Sequence, residues 1–421
     1  MFRRKEPFYP PKSNALMVWL AHRLNGWMNR VIAKNLTVEM GQEDIARLKQ
    51  YQGESMLLLP NHPSNLDPYV MFSLSKMLKE PFNYVAAREI FDDLGGFQGL
   101  FLQALGCYSV IRGAADRESF KTTREFLKRG DHRLVIFFEG EVSHENDTLI
   151  PFEAGVLQLA FWGLEDRMKL WKEESRVGDA QLWIAPLSIK YRYPVKTEPL
   201  MMQALSELEA FVFRESDLKA HPRKGMEVYE RIRAVGNQML HLQEQRLGLK
   251  SDEALPLNDR LGLLKERLLN KLEHFLDIPT KGEQDFLDRI RVVRNKLDKT
   301  IYTYGEPGEL THYQERLLDL TRKELTGFYD ELGRLVNLLL LRDGSIADHK
   351  TLDRYVDVIR RLEREAYGSP MLNPPRTAFL RCGNIVNLAE HYPAYQESKK
   401  KTIQSLALTF EQEIQALIQL G

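Results

Sequence analysis

The short apolar run Leu57-Leu58-Leu59-Pro60-Asn61 ends at a histidine, His62, and a carboxylate, Asp67, follows about one helical turn later. An apolar run of that length stopping at Asn and Pro reads as a buried strand entering a helix. The strand end would present His62 at the lip of a sheet, and Asp67 would fold back toward the imidazole. A carboxylate beside a histidine fixes the tautomer and stabilises the imidazolium that forms, so the pair is suited to taking a proton from a hydroxyl. Ser64, between them, is the expected N-cap of the helix.

Three further stretches carry chemistry or shape it. Gly106 opens a short strand, Cys107-Tyr108-Ser109-Val110-Ile111, that ends at Arg112, whose planar fork suits paired hydrogen bonds to phosphate oxygens. Leu134 to Phe138 run into Glu139-Gly140, with Ser143 just beyond: a buried strand meeting a tight turn. Ile150-Pro151-Phe152-Glu153-Ala154-Gly155 follows, then Leu182 to Ile189, another buried strand that contains Pro186.

In their order and spacing these stretches resemble the motifs of the glycerophospholipid acyltransferases (PlsC-like, 1-acylglycerol-3-phosphate acyltransferase type). Asn61, His62, Ser64 and Asp67 match the first motif, and Arg112 ends the second. Glu139, Gly140, Ser143, Pro151, Phe152 and Gly155 match the third and the element after it; Leu182–Ile189 resembles the fourth. The resemblance implies acyl transfer from a thioester, acyl-CoA or acyl carrier protein, to the hydroxyl of a lysophospholipid or glycerol-phosphate acceptor. His62 would be the base and Asp67 its orienting partner, with no acyl-enzyme, no cofactor and no metal. Backbone N–H groups at the start of the following helix would stabilise the oxyanion. Arg112 would hold the phosphate and Glu139 with Gly140 the glycerol part, and Asn61, Ser64 and Ser143 complete the substrate-binding set. Glu141-Val142 and Glu153 depart from the family pattern, which has Thr-Arg and Lys there. Two cations that would face a phosphate are replaced, a change closer to the tafazzin-type branch that handles lysophospholipids. Three functions stay open: a 1-acylglycerol-3-phosphate or glycerol-phosphate acyltransferase, a lysophospholipid acyltransferase or transacylase, and a non-catalytic lipid- or partner-binding protein.

Composition narrows the setting. The 421 residues have zero formal net charge, so bulk electrostatics do not point to nucleic acid. The two cysteines, Cys107 and Cys382, lie in apolar strand-like runs and read as buried reduced thiols of a cytoplasmic protein. No metal-ligand spacing is evident, no apolar run reaches the length of a membrane span, and the proline-rich start does not read as a signal peptide. Residues 14–33 form an amphipathic helix with Leu16, Leu20, Leu24, Trp27, Met28 and Val31 expected on one face and His22, Arg23, Asn29 and Arg30 on the other. Seven basic residues against one acidic fill the first 34 positions. Such a helix suits peripheral contact with an anionic membrane surface, and equally suits packing on a sheet.

Strand-like segments near 56–60, 83–87, 107–112, 134–138 and 182–191 alternate with helices, which predicts an α/β fold: a glycerolipid acyltransferase-type mixed sheet flanked by helices. After Pro199 the chain turns charged, leucine-rich and helix-periodic. Residues 259–275 repeat at 288–304 with a 29-residue offset, as expected of an αα-hairpin within an all-α bundle. A strand returns at Arg376–Ile385 with a final helix over 395–420. The expected organisation is therefore an acyltransferase domain over 1–200 and 372–421, with a helical insertion over 201–371.

Overall fold

A computed structural model describes residues 8–111, 116–214, 225–252, 254–279, 285–302, 311–339, 341–344 and 350–420. The chain divides into two units, Met1–Arg192 with Arg376–Gly421, and Tyr193–Pro375. The first holds an eight-stranded mixed sheet of β1 (Leu36–Met40), β2 (Met56–Pro60), β3 (Phe82–Ala87), β4 (Cys107–Val110), β5 (Arg133–Val135), β6 (Trp183–Arg192), β7 (Arg376–Cys382) and β8 (Val386–Asn387). Their order is β1-β7-β6-β2-β5-β3-β4, with β8 on β6. β6, β2, β5, β3 and β4 run parallel, while β7 is antiparallel to β6 and parallel to β1.

All five residues of β2 are buried, as a central parallel strand covered on both faces requires. Leu58 belongs to the core under helices α1 (Ala15–Val31), α2 (Gln42–Lys49) and α3 (Asp67–Leu78), with Val18, Leu48, Val70, Met71 and Leu74. Its neighbours Leu57 and Leu59 point the other way, into the core with α5 (Arg117–Arg129), α6 (Gly155–Glu173) and the closing helix Lys399–Gln419. Helix α4 (Phe97–Ala104) precedes β4, and Gly106 makes the turn between them at φ +90°, where a Cβ would lie 2.8 Å from Asn83 Oδ1.

Helix α1 departs from an ordinary amphipathic helix in exposing its largest apolar side chains. Its inward face is mixed: Val18, Ala21 and Met28 are buried, and between them polar side chains bond to α3, with His22 Nε2 3.0 Å from Ser75 Oγ and the amides of Asn25 and Asn29 donating to Ser73 Oγ at 3.2 and 3.0 Å. Its outward face is apolar, with Leu16, Trp19, Leu20, Leu24, Trp27 and Val31 exposed. The expected faces are corrected in part: Met28 is buried, while Arg23 and Arg30 lie on the exposed side with the apolar stripe. The serines of α3 give the inward side chains their partners, which periodicity alone does not reveal.

The second unit contains α7 (Glu198–Arg214), α8 (Val228–Arg246), α9 (Leu257–Phe275), α10 (Phe286–Tyr302), α11 (His312–Leu339) and α12 (Leu352–Tyr367). Leu264, Leu268 and Leu272 of α9 share one core with the repeat-related Val293, Leu297 and Ile301 of α10 and with Leu325, Leu332 and Leu335 of α11. The repeat has three members, since α8, α9 and α10 start 29 residues apart. Near the start of each, an arginine forks onto a glutamate of the preceding helix: Arg231 to Glu209, Arg260 to Glu244 and Arg289 to Glu273, at 2.7, 2.6 and 2.8 Å. The fork geometry fixes the register of neighbouring helices more tightly than apolar contact alone.

Candidate active site

The parallel strands β2 and β5 end on the same edge of the sheet, and the loops after them converge there, as ligand sites of open α/β sheets do. His62 lies two residues past the end of β2, and Asp67 is the first residue of α3. The His62 Nδ1–H donates to Asp67 Oδ2 at 2.7 Å, which leaves Nε2 to accept a proton. Asp67 is fully buried, while the His62 side chain keeps 15% exposure. Burial pushes the Asp67 carboxyl above its usual range, against the opposing pull of His62, Tyr191 and the Ser64 N–H. The ring of Phe137 stacks on the imidazole and limits its rotation.

The backbone of His62 is gripped from both sides. Its N–H donates to Glu139 Oε1 at 2.5 Å, and its carbonyl accepts from the Ser143 N–H at 2.9 Å. The other oxygen of Glu139 accepts from the Ile150 N–H at 3.1 Å. Glu139 is fully buried, and both oxygens bind main chain, so it ties the loop after β5 to His62. Burial raises its carboxyl to about 8 although the two N–H groups favour the anion. Gly140 turns at φ +71°, and a Cβ there would lie 2.8 Å from Glu153 Cγ, so the turn packs against that carboxylate's stem.

Ser64 departs from its expected place. The N-cap of α3 is Leu66, and Ser64 Oγ accepts from the Leu66 N–H at 3.2 Å. The Ser64 N–H donates to Asp67 Oδ2 at 2.8 Å, and the Asp67 N–H donates to the Ser64 carbonyl at 3.1 Å. The N–H groups of Ser64, Leu66 and Asp67 are thus engaged inside the turn that aims Asp67, instead of pointing at an oxyanion. Asn61 is buried and bonds the main chain of Ile189 through both amide atoms, at 3.1 and 2.6 Å. Arg112 lies outside the described residues.

Two residues absent from the sequence reading join the site from β6 and the loop after β5. Tyr191 OH donates to Asp67 Oδ1 at 2.6 Å, and Asn146 bonds the main chain of Tyr191 through both amide atoms, each at 2.7 Å. The only hint was a tyrosine between Lys190 and Arg192 at the end of an apolar strand. Both cysteines are free and buried, their thiols pushed up to about 12 by burial, and neither belongs to this constellation.

The acyltransferase family model matches residues 38–189, from β1 into β6. The chain carries an acyltransferase domain of the glycerophospholipid acyltransferase family. The matched segment is just over a third of the chain and contains His62, Asp67, Glu139, Gly140 and Ser143. Tyr191 and the returning strand β7 fall beyond it, although they belong to the same sheet. No curated protein matches the chain. Among the described residues no group of side chains could hold a metal ion, and no helix is long and apolar enough to cross a membrane.

Proposed function

We propose that the acyltransferase domain moves a fatty acyl group from a thioester, acyl-CoA or acyl carrier protein, to the free hydroxyl of a glycerol-phosphate-type lipid, with 1-acylglycerol 3-phosphate as its acceptor. The observation that carries this reading is the buried Asp67 carboxylate bonded to His62 Nδ1 at the sheet edge, within the family-matched segment. His62 Nε2 takes the acceptor hydroxyl proton as the oxygen attacks the thioester carbonyl. The tetrahedral intermediate collapses with loss of the C–S bond, and the imidazolium returns its proton to the departing thiolate. Asp67 stabilises the imidazolium throughout. Arg112 is assigned to the phosphate by its motif, and Glu139 with Ser143 to the support of His62.

The negative stems beside the Gly140 turn, Glu141 and Glu153, favour a second reading: an acyltransferase or transacylase acting on headgroup-bearing lysophospholipids. The helical unit enters the sequence between β6 and β7, and we read it as an insertion within the acyltransferase domain. The exposed apolar face of α1 supports peripheral attachment to a lipid surface. Arg23 and Arg30 lie along that face, and a second exposed group, Leu94, Phe97, Leu100 and Phe101, precedes and lines α4. The segment entering α1 bonds to α4, Lys12 N–H to the Gln103 carbonyl and Asn14 N–H to the Ala104 carbonyl, both at 2.9 Å. Exposed apolar and aromatic side chains beside cations suit an anionic bilayer surface.

The test is acyl transfer by the purified chain on anionic vesicles, offering both donors and a panel of glycerol 3-phosphate, lysophosphatidate and neutral-headgroup lysophospholipids. Transfer to lysophosphatidate supports the first reading, and transfer confined to headgroup-bearing lysolipids supports the second. Silence across the panel refutes both.

A further inference from the structure

The Asp67 carboxylate has two buried oxygens, and the site as described through its motifs uses only one of them. Oδ2 takes the His62 Nδ1–H and the Ser64 N–H. An unpartnered Oδ1 at a fully buried position would be costly and would let the carboxylate turn about its bond. Tyr191 supplies the missing donor, at 2.6 Å. Its hydroxyl reaches Asp67, the first residue of α3, from β6, 124 residues away in sequence.

Tyr191 is itself held in place. β2 ends at Pro60, opposite Leu187, but β6 continues to Arg192. Beyond the end of β2, side-chain amides take over the pairing of β6. Asn61 closes two bonds on Ile189 and Asn146 closes two on Tyr191, alternate residues whose side chains lie in the same core as α3. On its other side Tyr191 pairs with Ala378 of β7. The loops after β2 and β5, which carry His62, Glu139 and Ser143, are thus pinned to the strand that carries the phenol. Among the described residues, the ionisable groups acting on Asp67 are His62 and Tyr191, with Glu139 coupled to it electrostatically.

We propose that Tyr191 is a positioning residue of the acyl-transfer site, its hydroxyl fixing the plane of the Asp67 carboxylate so that Oδ2 stays on the His62 imidazole. This rests on the general-base reading, and the experiment separates the two. Tyr191→Phe removes the hydroxyl and keeps the ring. It should lower kcat about tenfold, the effect of losing one hydrogen bond to a charged group, with KM within about twofold. In the substrate-free protein, the far-downfield proton resonance of the His62–Asp67 hydrogen bond, read by NMR, should move because the carboxylate has become a stronger acceptor. A monofluorinated tyrosine at 191, a stronger donor of nearly the same shape, should move that resonance the opposite way, and it reports even if Tyr191→Phe does not fold. A resonance unmoved in the folded variants, or a kcat unchanged in Tyr191→Phe, overturns the proposal. If the parent protein transfers no acyl group, the general-base reading falls, and the resonance alone decides whether Tyr191 acts on the pair.

Discussion

The ring of Phe137 lies flat against the imidazole of His62, with centroids 4.0 Å and planes 14° apart. Together with the Asp67 bond, the stack holds the imidazole in one orientation before any substrate arrives. Pre-set geometry of this kind lowers the entropic part of a barrier. His62→Ala should reduce acyl transfer by about two to four orders of magnitude while leaving the fold intact. Phe137→Ala, which keeps the base but frees its ring, should cost roughly tenfold in kcat. Steady-state rates, with circular dichroism as the fold control, check both, and full activity in His62→Ala would remove it from the chemistry.

Glu139 makes stability depend on pH. Its carboxyl is raised to about 8 in the folded protein from an ordinary value of 4.5. The folded state therefore holds a proton that the unfolded state releases. The resulting stabilisation is full below about pH 4.5 and fades as pH rises toward about 8. Thermal melts near pH 5 and near pH 8 should show a larger loss in the parent protein than in Glu139→Gln, which cannot ionise. Equal losses in the two proteins would contradict the expectation.

The arginine forks of the helical unit should differ in worth. Arg260 and Glu244 are both 5% exposed, whereas Arg231 and Glu209 are 16% and 14% exposed. Arg260→Ala strands a buried carboxylate and should cost about 3–5 kcal/mol in denaturant unfolding of that unit. Arg231→Ala should cost less, because water reaches the carboxylate left behind. The reverse ranking would mean that burial does not set the strength of these pairs.

On α1, Trp19 and Trp27 are 53% and 56% exposed, so replacing them disturbs no core. The double change Trp19→Glu with Trp27→Glu should weaken binding to anionic vesicles by at least about tenfold, from the lost apolar contact and the added negative charge. Melting temperature should stay within a few degrees. Vesicle co-sedimentation measures the first effect, and binding unchanged by the double substitution would assign the apolar face to something other than lipid.

Much of the sheet was legible in the sequence because its central strands carry apolar runs buried on both faces, as in β2 and the first half of β6. β1 was not, since at the edge of the sheet it reads only as a short alternating stretch, Leu36–Met40. The His62–Asp67 approach was legible from a strand-to-helix turn that spans few residues. Tyr191 and Asn146 were not, because their partners lie 124 and 45 residues away and only tertiary pairing brings them together. In the helical unit, two members of the 29-residue repeat stood out through their leucines. The third shows in Glu230-Arg231-Ile232, set against Asp259-Arg260-Leu261 and Asp288-Arg289-Ile290. Amphipathicity was evident in α1, but period alone does not say which face meets the protein, and Ser73 and Ser75 decide it.

The placement of β7 governs the order in which the sheet can be assembled. β7 lies between β1 and β6 and is the sole strand paired with β1 among the described residues, yet it is made only after all of Tyr193–Pro375. On the ribosome, β2 to β6 can associate early, while β1 waits without a neighbour and β6 keeps one side open. An open strand side invites mispairing with other chains. Bringing β7 back costs only a few kcal/mol of loop-closure entropy, since that term grows with the logarithm of loop length, and less if the helices have already folded and drawn their ends together. Early folding of the helical segment would therefore shorten the interval in which a half-built sheet is exposed.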